Sequence, residues 1–364
     1  MRSCKPFRPE GPVDVGPVPR SLAAGCIPIT GITDGIIHTS DGRHVKIVEV
    51  MPVNFLLRSP VEQRNIIYSF IGYLKIAPVK LQIKVLSKKA DISGFLENIR
   101  RDKEKETDER CRLLQEDYAS LIRSVGSREA ISRRFFLIFE YETYRSSRNQ
   151  NDIVAVLNTA VQTAKKYLSQ CGNEVIIPEH DTQACVEVLY HILNRRTSTM
   201  KTLNQRMNEV VAWYIRENGE ESVENIPITE FFAPESIDFK HGNYIVMDGV
   251  YHTYLFIPSA GYRSRVPAGW LSLLVNAGEG IDIDVFLYKQ DKAKSVERIG
   301  RRIRLNSSKI KEVSDTNSDY DDLAESIQAG YYLKNGLGSS EDLYYMSILI
   351  TVTGYSADEV EWRA

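Results

Sequence analysis

The sequence predicts an α+β fold: two topologically similar split-βαβ-like sheet-and-helix halves with a helical insert between them. Three observations carry that expectation. Short apolar strands are separated by Gly-containing turns, and they alternate with amphipathic helices. The order hairpin, helix, strand, long helix, strand, helix is met twice along the 364 residues. A long run of βαβ units, which would build a doubly wound nucleotide-binding sheet, is missing.

Residues 1–20, "MRSCKPFRPEGPVDVGPVPR", are rich in Pro and Gly without periodicity and read as a disordered leader. The first α/β unit is placed at 21–175. In "IPITGITDGIIHTSDGRHVKIVEV" short strands end in a hairpin with Asp-Gly at its turn. Ser59 as N-cap and Pro60 at the first helical position open a helix with Ile66, Ile67, Phe70, Ile71 and Leu74 on one face. "VKLQIKVLSK" sets Leu81, Ile83 and Val85 against Lys80, Gln82 and Lys84, a half-buried strand. One long helix is expected from Ile92 to Val125, apolar at its ends and charged in its middle, "RRDKEKETDERCR". "RRFFLIFEYETY" reads as a buried strand, and "NDIVAVLNTAVQTAKKYLSQCG" as a helix closed by Gly172.

Residues 176–235 read as a helical insert and loop, and 236–364 as the second unit. Its hairpin is "NYIVMDGVYHTYLFI", with Gly249 taken as the counterpart of Gly42. A short helix opening at Pro267, the strand "GIDIDVFLYKQ", and a helical region reaching about Tyr332 come next. The strand "DLYYMSILITVTGYS" and a helix capped by Ser356 complete the unit.

With 43% hydrophobic and 26% charged residues the composition is that of a globular protein. The formal net charge of −2 lacks the basic surplus of a dedicated nucleic-acid binder. Cys4, Cys26, Cys111, Cys171 and Cys185 are widely spaced with no Cys-x-x-Cys, which predicts free thiols in a reducing cytoplasm. Neither a secretory signal nor an apolar run of about 18–20 residues is read.

Chemistry-bearing motifs are few. There is no G-x-x-x-x-G-K-[ST] and no G-x-G-x-x-G. "NGLGSSED" (Asn335 to Asp342) lacks a phosphate-binding lysine, precedes a strand and reads as a turn. His180 and His191 are too far apart for one ion, and Cys185 between them reads as a small buried residue. His38, His44, His241 and His252 fall on or beside hairpins, and His44 and His252, each following a turn Asp-Gly, read as exposed strand residues. Asp282 and Asp284 share a sheet face and could act as acid and base. Their alternation with Ile281, Ile283 and Val285 instead places them on the wet face. No catalytic, cofactor or metal residue is therefore expected in this chain. Two basic groups remain as docking or phosphate contacts. Arg298, Arg301, Arg302 and Arg304 surround a helix whose apolar side is Val296, Ile299 and Ile303. Lys103, Lys105 and Arg110 lie in the charged middle of the first long helix, read as a projecting arm.

Three stretches resemble one family: the run from Ile27 to Ile92 that opens "IPITGITDGIIHTSDGRHVKIVEV", "VLYHILNRR" (Val188 to Arg196), and "GYRSRVPAGWLSLLVNAGEGIDIDVFLYKQD" (Gly261 to Asp291). They are similar to the N-terminal region of conjugative-transfer ATPases of type IV secretion systems, the TraC/TraE type of Gram-positive mobile elements. Family members often carry proline where Arg263 stands. The resemblance implies a non-catalytic assembly and docking domain. A RecA-like motor with the Walker motifs would follow Ala364, and ATP and magnesium would bind only there. It implies membrane components of the secretion channel as partners and a homo-oligomer formed through or with the motor. The implied location is cytoplasmic, peripheral to the inner face of the membrane. The alternative is a nucleic-acid-binding accessory protein of a mobile element, with DNA held by the arginine-bearing helix.

Overall fold

In the computed structural model the described residues are 21–78, 80–89, 93–126, 131–143, 150–258, 261–262, 266–267, 269–311 and 318–364. The expected leader at 1–20, with Cys4, and Arg263 lie outside them.

A turn of helix, α1 (Ser21–Ala24), precedes strands β1 (Ile29–Thr33), β2 (Ile36–Thr39) and β3 (Arg43–Met51). Helix α2 (Pro60–Ile76) begins in a capping box. Ser59 Oγ accepts from the Glu62 N–H, and the Glu62 carboxylate accepts from the Ser59 N–H at 2.9 Å. Next come β4 (Lys80–Lys89), α3 (Ser93–Lys105), α4 (Glu109–Gly126), β5 (Ile131–Glu142), α5 (Gln150–Gln170) and β6 (Glu174–Ile176). The insert holds α6 (Asp181–Leu193), α7 (Thr197–Met200), α8 (Leu203–Asn218) and α9 (Thr229–Phe232). The chain continues through β7 (Ile237–Asp238), β8 (Ile245–Met247), β9 (Val250–Phe256), α10 (Ser272–Val275) and β10 (Ile281–Lys289). It then forms α11 (Lys292–Lys309), α12 (Ser318–Gly338), β11 (Tyr344–Gly354) and α13 (Ala357–Arg363).

Helices and antiparallel strands together make an α+β fold. The strands among the described residues join one sheet of order β1-β2-β3-β5-β4-β10-β11-β9-β8-β7, with β6 beside β3. From one edge inward the order is β1-β2-β3-β5-β4; from the other it is β7-β8-β9-β11-β10. β3 and β4, joined by α2, flank β5, while β9 and β10, joined by a segment containing α10, flank β11. The seam pairs β4 with β10 from Lys80↔Tyr288 to Val85↔Ile283. That pairing satisfies two strand edges that would otherwise stand open.

The structure refines one turn and corrects three local expectations. Asp248-Gly249 has positive φ at both residues, 49° and 75°, as a two-residue hairpin loop requires. It shares its turn type with Asp34-Gly35, at 53° and 67°, while in strand order the β8–β9 turn holds the place of the β2–β3 turn at Gly42, where only the glycine is left-handed. The long helix from Ile92 is two helices. Its acidic middle competes for the backbone: the Glu106 carboxylate accepts from the N–H groups of Thr107 and Asp108, and Asp108 caps the Arg110 N–H at 2.8 Å. The last residues of α12 include Asn335–Gly338, so the expected turn there is helix, and the chain reverses afterwards at Ser340 (φ 68°). The helix expected at Pro267 starts only at Ser272, after the left-handed Gly269 (φ 78°).

Two layers cover the sheet. On one face α2 and α5 pack Tyr73, Leu157 and Ala164 onto Val48, Leu81, Leu137 and Phe139. Further along that face Trp270, Leu271 and Leu274 cover Val85, Ile283, Val285 and Ile348. On the other face the insert lays Val186, Leu189, Leu203 and Phe232 over Ile32, Ile37, Val45 and Ile47. Val188 meets Leu86 and Phe136 there.

Candidate functional site

Two polar arrangements converge in this fold. The first lies on the seam. Asp282 and Asp284 are buried, which corrects the solvated face expected for them. The insert is the reason: the segment after α6 brings Arg195 down onto Asp282, with which it is ion-paired. The Asp282 carboxylate also accepts from the Ser87 N–H at 2.8 Å, and Arg195 donates to the Ser87 carbonyl at 2.7 Å. Asp284 accepts from Gln82 Nε2 at 2.7 Å and from Lys84 Nζ at 2.9 Å. Burial pulls the Arg195 guanidinium down to about 10, which leaves it charged at neutral pH. Each carboxylate is thus committed to a cation and a second donor, an arrangement suited to fixing strand register.

His252 on β9 sits beside this seam. It is 2% exposed, not the surface residue expected, and its Nε2 has no hydrogen-bond partner among the described residues. Burial first, and the Arg195 charge second, push its pKa down to about 4. The unfolded chain therefore takes up a proton below about pH 6.5 that the native chain refuses until about pH 4. Stability should accordingly fall with acidification through that window, by about 2 kcal/mol at pH 5 relative to pH 7. Urea midpoints compared between wild type and His252→Leu test this, because the variant should lose less stability over the same pH interval.

The second arrangement is a cavity of about 870 Å³ at the sheet edge, bounded by α5, α6, α8 and α9. Lys46, buried on β3, stands in its wall. Its ammonium donates to the Asp34 carbonyl at 3.2 Å, to Asn158 Oδ1 at 2.8 Å and to Asp181 Oδ2 at 2.9 Å. With all three protons placed, Lys46 ties β3, α5, α6 and the β1–β2 turn together. It is no poised base or nucleophile. Gly35 makes this closeness possible: a Cβ there would lie 2.6 Å from the Asp181 Cβ. Asp34 and Glu179 face the cavity from its exposed side, and Met207, Ile228 and Phe231 supply apolar wall. Volume, apolar lining and a few polar groups are the attributes of a small-ligand pocket. Sequence reasoning missed it, although one signal was present. Lys46 is in phase with the inward-facing Val48 and Val50, and a lysine at such a position needs buried partners.

The remaining sequence candidates are scattered. His180 precedes α6 at the cavity rim, and His191 sits on the last turn of the same helix, 3.6 Å from Glu187. Among the described residues no group of His, Cys, Asp and Glu could hold a metal ion. Cys185 is buried, and burial pushes its thiol up to about 12, which makes it unreactive. His38 and His44 are half-buried with their Nδ1 atoms 2.7 Å apart, and His241 stacks on Tyr244. Lys103 pairs with Glu116 at 3.1 Å, while Lys105 and Arg110 flank the break between α3 and α4. On α11, Arg298 lies over the Tyr345 ring at 5.4 Å and Arg301 pairs with Glu297 at 3.0 Å. Arg302 and Arg304 are exposed. Because β4 and β10 are antiparallel, α3 and α11 leave the sheet at opposite ends, so the two basic groups do not form one patch.

Among the described residues no helix is long and apolar enough to cross a membrane. Compared with known proteins, the chain matches no protein-family model and no curated protein.

Proposed function

We propose that the chain is an assembly and docking domain of a type IV secretion ATPase, working without catalysis of its own. In this reading a motor domain supplied outside these 364 residues binds ATP and magnesium. The chain seats that motor at the cytoplasmic base of a DNA-transfer channel, against the channel's membrane components, and contributes to a homo-oligomer. The family resemblance of the three stretches quoted above supplies the class. The observation that carries the docking role is the pair of helical hairpins at opposite ends of the sheet. Each presents large apolar side chains to solvent: Leu113 and Leu114 on α4, and Leu305, Tyr331 and Tyr332 on α11 and α12. Exposed apolar groups on a projecting hairpin add little to the fold and suit a partner's groove.

The test uses donor cells carrying L113D and L114D together. DNA transfer should fall about tenfold or more, with a matching loss of the chain from the membrane fraction. The purified variant should keep its thermal midpoint, because both side chains are exposed. Undiminished transfer by the doubly substituted chain would overturn the reading.

A further inference from the structure

The insert leaves part of its sheet face open beyond the seam. In the antiparallel registers Tyr288 lies opposite Tyr345, Phe286 opposite Ser347, Leu349 opposite Phe256 and Thr351 opposite Tyr254. Side chains directly opposite, and those two apart along a strand, share a face. Tyr254, Phe256, Phe286, Tyr288 and Tyr345 therefore stand together on one side of β9, β11 and β10. All five are exposed, Phe256 at 73% and Tyr345 at 51%.

A cationic element borders them. Helix α11 begins just after β10 and carries Lys292, Lys294, Arg298, Arg301, Arg302, Arg304 and Lys309 against a single acid, Glu297. In a chain of net charge −2 this is a concentrated positive strip. Arg298 joins the strip to the rings, its guanidinium 5.4 Å from the Tyr345 centroid.

We infer that this face binds single-stranded nucleic acid, with bases stacked on the five rings and phosphates neutralised by α11. Exposed rings side by side on one sheet face offer planar contact to unpaired bases, whereas the faces of bases in a duplex are already stacked on one another. Ring stacking accepts any base, so the site reads strandedness and not sequence. A protein partner with an apolar face would leave the charge of α11 unanswered; a polyanion with planar groups answers both features. This inference does not rest on the docking role: its rings lie on the sheet, and it shares with that role only helix α11, which offers its basic groups here and Leu305 there.

The experiment measures fluorescence anisotropy of a labelled oligothymidylate of about 12 nucleotides with the full chain, at roughly 50 and 200 mM salt. Binding should weaken steeply with salt. Phe256→Ala and Tyr345→Ala should each weaken it about tenfold, while Tyr345→Trp should retain it. Arg298→Glu should weaken it and flatten the salt dependence, and a duplex of the same length should bind at least about tenfold more weakly. The inference is overturned by any of three results: no binding at low salt, binding indifferent to the ring substitutions, or equal affinity for duplex. The last would assign α11 alone as a general polyanion contact. A chain that self-associates through this face, losing the association in Phe256→Ala without binding oligonucleotide, would likewise overturn it.

Discussion

Asp284→Ala should cost the fold about 3–5 kcal/mol, the loss that follows when one partner of a buried ion pair is removed. The Lys84 side chain is 11% exposed and pairs with Asp284 at 2.9 Å, and Gln82 donates to the same carboxylate at 2.7 Å. Truncation strands an ammonium and an amide together in the middle of the sheet, where neither reaches water readily. The pair itself adds far less than its removal costs, because ionising both groups there already carries a desolvation penalty. The double variant Lys84→Met with Asp284→Leu should therefore recover most of the loss. Urea unfolding of the two singles and the double gives the coupling directly. A loss below about 1 kcal/mol in Asp284→Ala would mean that water reaches the seam.

Phe139→Ala should cost about 3–5 kcal/mol by leaving a cavity that the surrounding chain only partly fills. Phe139 is fully buried on β5, opposite Lys46 of β3 and Leu81 of β4. Its core cluster includes Tyr73 of α2 and Leu157 of α5, so the ring belongs to both layers that meet there. Phe256→Ala is the internal control: the same truncation on the open face should change stability by no more than about 0.5 kcal/mol. Chemical unfolding of both variants in one series separates burial from ring chemistry. Similar losses in the two would contradict the layer assignment.

Much of the architecture is legible from periodicity. The alternation in Leu81, Ile83 and Val85, and in Ile281, Ile283 and Val285, marks two strands with one core face each. Their partner is not legible. Nothing local in β4 names β10 as its neighbour, because pairing is decided by which edges remain after nearer strands have paired. For the same reason Asp282 and Asp284 look like a wet face: alternation predicts that they share a side of the sheet, but not that Arg195 will arrive to cover them. The break between α3 and α4 was readable in part, since Glu106 and Asp108 are side chains that compete for backbone N–H groups. The cavity was hidden because its groups come from β3, α5, α6, α8 and α9, and each looks ordinary alone. Lys46, in phase with Val48 and Val50, was the one visible clue.

The seam has a consequence for the protein at birth. The interacting residues Gln82 and Asp284 are 202 positions apart. At about 5–20 residues per second a nascent chain would wait on the order of 10–40 s between the emergence of β4 and that of its neighbour. Through that interval one border of β4 is an unoccupied template on which another ribosome's product could lodge. Lys80, Lys84 and Lys88 are spaced four apart along that strand, and like-charge repulsion between copies discourages such a union. Lys84 therefore serves twice: first it keeps other copies of β4 away, and later it is held by Asp284 when β10 closes the sheet.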